Sequence, residues 1–253
     1  QYATWVDLEN GVVLERLNQV HHVGDHGHDK KRKSPQPMGP PALAQMLSGQ
    51  LVGTVHLTQP FEAPVEVGLA HLMVQTGQGA MTTDAGGMIT LDGAPPQQLG
   101  LQLQGLWSIV TSSGNTPSTE VTLTGDSVVA LDEMANIREL SAYHNVNRIH
   151  EHLQAWLPDF DGMDFQMPTI VDVSGTCNAF YTPGSPTINF YSEGDGCNAF
   201  SLVSDVVFHE YGHGINDLFY ESLGSNFSNG DINEGYADLW AISLTVNPIL
   251  GAG

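Results

Sequence analysis

Near Asp126 the spacing of apolar residues changes, and no other feature restricts the fold of this chain as much. Before that point, from about 48 to 126, the sequence alternates. Leu51, Gly53, Val55 and Leu57 are separated by Val52, Thr54 and His56, and Leu99, Leu101 and Leu103 by polar neighbours, which is the two-residue period of a half-buried sheet. Thr83-Asp84-Ala85-Gly86-Gly87 and Ser112-Ser113-Gly114-Asn115 read as turns between short strands, so residues 48–126 are expected to form a small antiparallel β-sandwich. Beyond it, Leu131, Met134, Ile137, Leu140, Val146, Ile149, Leu153 and Trp156 recur at threes and fours, which predicts an amphipathic packing helix ended by Pro158. His144, His150 and His152 lie on that helix with no two four apart, and read as surface or cap residues. The expected class is α+β, with a third region before the sandwich.

That region, residues 1–47, begins with a strand-like Tyr2 to Val13 stretch broken at Asn10-Gly11, a dipeptide suited to a tight hairpin. His21, His22, Asp25, His26, His28 and Asp29 then precede the run Lys30-Lys31-Arg32-Lys33, and Ser34-Pro35-Gln36-Pro37 with Gly39-Pro40-Pro41 follows it. This composition predicts an exposed linker, and its basic run a solvated patch or a processing site. The 253 residues suit one large domain or two modest ones.

Charge narrows the partners. With 28 acidic residues against 7 Lys plus Arg, a formal charge of −21 repels polyanions, and no nucleic-acid partner is expected. No apolar run approaches the ~20 residues needed to cross a bilayer, so no membrane span is expected either. Lys and Arg are absent after Arg148, which leaves trypsin-like enzymes nothing to cut, and no leader precedes Gln1; both suit a processed, secreted protein. Cys177 and Cys197 enclose a Gly- and Pro-containing loop whose closure in an oxidising compartment is worth ~3 kcal/mol. A disulfide is expected there, with two free thiols as the alternative.

The chemistry is concentrated in Asp205-Val-Val-Phe-His209-Glu210-Tyr211-Gly212-His213-Gly214. On a helix, residues four apart share a face, so His209 and His213 can present two imidazoles to one metal ion while Glu210 borders the same site. Zinc held this way lowers the pKa of a bound water, and a neighbouring carboxylate can accept its proton. Gly212 and Gly214 each cost ~1 kcal/mol relative to Ala in a helix, and admit close approach of a neighbouring element. A second helix is predicted to open with Asp231 as its N-cap and to carry Glu234 and Asp238 on one face. Glu234 can supply a third ligand, and Asp238 can accept the other N–H of a ligating imidazole. In the competing reading, Asp231 and Glu234 form only a capping box.

HEYGH followed by NEGYAD resembles the gluzincin metallopeptidases, and HEYGHGI is similar to their fungalysin branch. Upstream, CNAFYTP followed by NFYSEGDG resembles the thermolysin-like edge strand and Gly-Asp-Gly turn that lead into the zinc helix. The resemblance covers roughly 127 to 245 and implies that 127–253 is the N-terminal lobe of a zincin catalytic domain. It implies zinc ligation by His209, His213 and Glu234, with Glu210 as general base. Asp238 would partner His209, and Asn233 would partner His213. It also implies that Asn178, Ala179, Phe180 and Tyr181 pair with peptide or protein substrate along a sheet edge, where main-chain hydrogen bonds tolerate varied sequences. Asp205 matches a calcium-ligating Asp, although no further acid follows Asp238.

Family members continue into a largely helical lobe that closes the cleft and stabilises the oxyanion. Only 19 residues follow Glu234 here, so the chain is expected to be a fragment whose C-terminal lobe is a separate chain of the same precursor. Without oxyanion donors, each worth ~10²–10³ in rate, the chain alone would be a poor catalyst. Val6-Asp-Leu-Glu-Asn-Gly-Val-Val-Leu-Glu15 resembles the end of a propeptide, which places Gln1 inside a precursor. The alternative to a secreted zinc endopeptidase is a non-catalytic adhesion or assembly module with a structural metal site, in which Cys177 and Cys197 serve as thiolate ligands.

Overall fold

A computed structural model describes residues 2–6, 13–18 and 45–251. The chain divides into two compact units, Gln1–Leu43 and Ala44–Gly253. In the first, β1 (Tyr2–Val6) pairs antiparallel with β2 (Val13–Asn18), Tyr2 opposite Asn18 and Val6 opposite Val13, with a register shift between Trp5 and Val6. The turn itself, the His-rich tract, the basic run and the Pro-rich linker lie outside the described residues.

The second unit is mixed α and β. Its strands are β3 (Met46–Val55), β4 (Val65–Gly68), β5 (Leu72–Thr76), β6 (Gly79–Thr82), β7 (Met88–Asp92), β8 (Gln97–Gly105), β9 (Ser108–Ser112), β10 (Ser118–Leu123) and β11 (Ser127–Ala130). After α1 (Ile137–Trp156) come β12 (Met167–Val173), β13 (Ala179–Thr182) and β14 (Thr187–Tyr191), then α2 (Ser204–Ser222) and α3 (Gly230–Thr245). The larger sheet runs β13-β14-β12-β9-β8-β5-β6, with β10 also on β8; the smaller runs β11-β3-β4, with β7 also on β3. Alternation places Leu99, Leu101 and Leu103 of β8 and Leu51 and Val55 of β3 in one continuous core. Asp84 Oδ1 accepts from the N–H groups of Gly86 and Met88 at 2.8 and 2.9 Å, and this turn carries the chain from β6 in one sheet to β7 in the other.

Pairing among β3 to β10 is antiparallel throughout, as the alternation implies. The expected boundary at 126/127 nevertheless falls inside the fold. β11 lies parallel to β3, and β12 lies parallel to both β9 and β14, so strands from either side of that boundary share both sheets. Alternation reports which face a strand buries; it carries nothing about which distant strand lies beside it.

Asn136 opens α1. Its Oδ1 accepts from the N–H groups of Arg138 and Glu139, while Glu139 Oε2 accepts from the Asn136 N–H at 2.8 Å, a reciprocal cap that starts the helix at Ile137. Leu131 and Met134, which fit the helical period, belong to the preceding turn, where the Leu131 N–H donates to Val52 O. The stripe Leu140, Tyr143, Val146, Ile149 and Leu153 is buried against the sheets and α2, and the helix stops at Trp156, before Pro158.

His150 is not the surface residue its spacing suggests. It is wholly buried, stacked on Trp107 at 3.9 Å between ring centroids, with Nδ1 2.8 Å from the Tyr211 hydroxyl. No helix among the described residues is long and apolar enough to cross a membrane.

Candidate metal centre

Two helices and one sheet edge build the site. α2 carries His209 and His213 one turn apart, and α3 runs against it. The contact is close because Gly212 faces Ala237: a Cβ on Gly212 would sit 3.1 Å from Ala237 Cα and 3.2 Å from Trp240 Cβ. On the opposite flank, Gly214 leaves room for Tyr181 and the Met163 side chain, each 3.2 Å from such a Cβ. The glycines that weaken α2 as a helix thus admit its neighbours.

α3 starts earlier than its sequence suggests. Asn229, not Asp231, is the N-cap, its side chain accepting from the Ile232 N–H at 3.1 Å, and Asp231 falls within the first turn. Glu234 and Asp238 still lie one turn apart and face α2. His209 Nε2 is 3.0 Å from His213 Nε2 and 3.1 Å from Glu234 Oε2, and His213 Nε2 is 3.5 Å from the same oxygen.

These separations test whether a cation fits. Donors ~2.0–2.1 Å from a tetrahedral ion are spaced about 3.3 Å apart, which is the spacing found. Asp238 Oδ1 lies 2.8 Å from His209 Nδ1. A carboxylate only accepts, so Nδ1 carries the proton and Nε2 keeps its lone pair for the site. His209, His213 and Glu234 can therefore hold a metal ion, and among the described residues they are the one such group of three.

Electrostatics follow from burial. His213 is held below the ordinary histidine value by burial and by His209, while Asn233, Glu234 and Asp238 pull the other way. Glu210 is buried beside it, and burial, reinforced by Glu234, pushes its carboxyl up to about 8. Asn233 takes part in a further contact: its Oδ1 accepts from Asn216 Nδ2 at 2.8 Å, tying α3 to α2.

The donors open onto a cleft of about 530 Å³. Asn178, Ala179, Phe180 and Tyr181 border it from the β13 side, and among the described residues β13 pairs only with β14, which leaves its other edge without a strand there. Asp217 and Phe227 also line this cleft and were not anticipated. Asp217 had a legible signal, since it continues the four-residue spacing of His209 and His213; Phe227 sits in an irregular segment with none.

Cys177 and Cys197 are disulfide-bonded, with Cα atoms 5.3 Å apart. Both thiols are thereby consumed, which removes them as metal ligands. Asp205 is buried at the start of α2, where Oδ2 accepts from the Gly251 N–H at 3.2 Å and burial raises its pKa. Among the described residues it belongs to no group of three His, Cys, Asp or Glu side chains that could hold a metal ion. No protein-family profile matches the chain, and no curated protein matches it.

Proposed function

We propose that this chain is the zinc-binding part of a secreted, fungalysin- or thermolysin-like endopeptidase. The observation that carries the reading is the convergence of His209 Nε2, His213 Nε2 and Glu234 Oε2, with edges of 3.0 to 3.5 Å, at the wall of a cleft that also contains a buried carboxyl and a free sheet edge. Three protein donors leave a coordination position open, as catalytic zinc sites do and structural ones do not. Two imidazoles and one carboxylate suit zinc better than the all-oxygen cations.

A zinc ion bound there would act as a Lewis acid on a substrate carbonyl and lower the pKa of water at the site. The chain's own groups do the rest. Asp238 fixes the His209 ring through Nδ1. Glu210 takes a proton from water and returns it to the departing amine; a dication alongside draws its raised pKa back toward the ionised form that this role needs. The free edge of β13 holds an extended peptide through main-chain hydrogen bonds, with Asn178 to Tyr181 as the contact strip. Beyond the ligands, the described lining of the cleft offers neither an imidazole nor a guanidinium for the oxyanion. The reading therefore includes a further lobe, on the same precursor or a separate chain, that completes the cleft. The disulfide and the scarcity of Lys and Arg suit an extracellular site of action.

Metal analysis after dialysis against zinc tests the centre. One zinc per chain is expected, lost in His209→Ala and His213→Ala. Glu210→Gln should keep the zinc while any hydrolysis of capped peptides falls by ~10²–10⁴. A protein that emerges metal-free would overturn the reading.

A further inference from the structure

Asp217 lies one helical turn beyond His213, on the cleft side of α2, and is half-buried. Its Oδ2 accepts from the Tyr181 hydroxyl at 3.0 Å. Tyr181 is kept protonated, its pKa raised first by burial and then by Asp217, so it acts as a fixed donor that orients the carboxylate. The neighbouring Phe227 supplies an apolar wall, and its ring meets those of Tyr220 and Tyr236 edge-on at 4.5 and 5.7 Å.

Lys and Arg are missing from the described lining of the cleft. Residues 45–251 contain two basic side chains, Arg138 and Arg148. Arg138 pairs with Asp172 at 3.0 Å and Glu193 at 3.8 Å, while Arg148 donates to Leu57 O and lies over Phe208. Neither lines the cleft, which carries the carboxyl groups of Glu210, Asp217 and Glu234. A dication bound by His209, His213 and Glu234 offsets the two nearest carboxylates and leaves Asp217 unmatched by any Lys or Arg among the described lining residues. A carboxylate in a partly desolvated cleft, with one oxygen anchored and an aromatic wall beside it, suits an alkylammonium or guanidinium whose stem packs on the ring.

We propose that Asp217, oriented by Tyr181, is a specificity-determining residue that selects peptides with a Lys or Arg side chain near the scissile bond; this rests on the peptidase reading above. Four residues of helix rise about 6 Å and an extended peptide advances about 3.3 Å per residue, so the selected side chain falls within about two residues of that bond.

The test uses zinc-loaded Glu210→Gln protein, which binds without cutting, and acetylated hexapeptide amides that differ in one central residue: Lys, norleucine or Glu. The Lys peptide should bind about tenfold tighter than the norleucine peptide, with the preference shrinking as salt rises and the Glu peptide weakest. Adding Asp217→Asn, which preserves an acceptor for Tyr181, should equalise Lys and norleucine while leaving one zinc per chain. Equal binding of the two peptides, or a Lys preference that survives Asp217→Asn, overturns the proposal and leaves the peptidase reading standing. A preference that appears only with a free α-amino group assigns the cation to the peptide terminus and likewise overturns it. Failure of every peptide to bind overturns the peptide cleft itself.

Discussion

His150 illustrates what one residue can conceal. Its ring is sealed between Trp107 and Tyr211, and although Asp164 Oδ1 lies 3.3 Å from Nε2, burial dominates and drives its pKa down to about 4. In the unfolded chain a histidine titrates near 6.5. Between those values the unfolded state holds the extra proton, so the stability this group contributes is complete above about pH 6.5 and is lost as pH falls toward 4, up to ~3 kcal/mol. The gap in urea-unfolding free energy between the parent protein and His150→Gln should therefore narrow from pH 7 to pH 4; a constant gap would refute the assignment. The sequence discloses the group that could hold a metal ion but not this histidine, for a physical reason. His209 and His213 are placed by helical geometry within one turn, whereas burial of His150 depends on Trp107, 43 positions away in the sequence.

Among the elements, α2 and α3 act as one device, because the donors converge only while the helices stay in contact at Gly212. Valine at that position would drive methyl groups into the Ala237 backbone, 3.1 Å from where its Cβ must lie. Overpacking of this kind costs ~1–3 kcal/mol, against a gain of a few tenths in helix propensity. Gly212→Val is expected to lower stability by about that net amount and to weaken metal binding by moving Glu234 away from the histidines. Urea unfolding together with chelator competition would measure both, and unchanged values would show that the helices are free to separate. The helices themselves were legible from spacing, and so was the placement of Glu234 and Asp238 on one face of the second. Their starts were less so: Asn136 and Asn229 take the caps because each aims a side-chain oxygen at N–H groups two or three residues on, a competition among nearby polar residues that composition does not rank.

For the whole molecule, the sheets run through the point where the periodicity changes. β3 is flanked by β4 and β7 from its own side of residue 126 and by β11 from the other, and β9 needs β12. A fragment of residues 45–126 would lose both partners as well as the covering face of α1, where the Tyr143 hydroxyl donates to Ala70 O at 2.8 Å. Its unfolding in urea should be non-cooperative, while 45–251 unfolds in one transition; a sharp transition in the short fragment would contradict the shared core. Local pattern could not reveal this, since parallel pairing joins strands more than fifty residues apart.

The bridge between Cys177 and Cys197 has a topological result. It encloses β13 and β14, the hairpin that ends the larger sheet and borders the cleft. Any peptide bond cut between those two cysteines therefore opens a ring without releasing a piece, and the severed ends stay tethered within reach of their original neighbours. For a polypeptide whose β13 lies beside a group that could hold a metal ion, a nick at this rim is survivable.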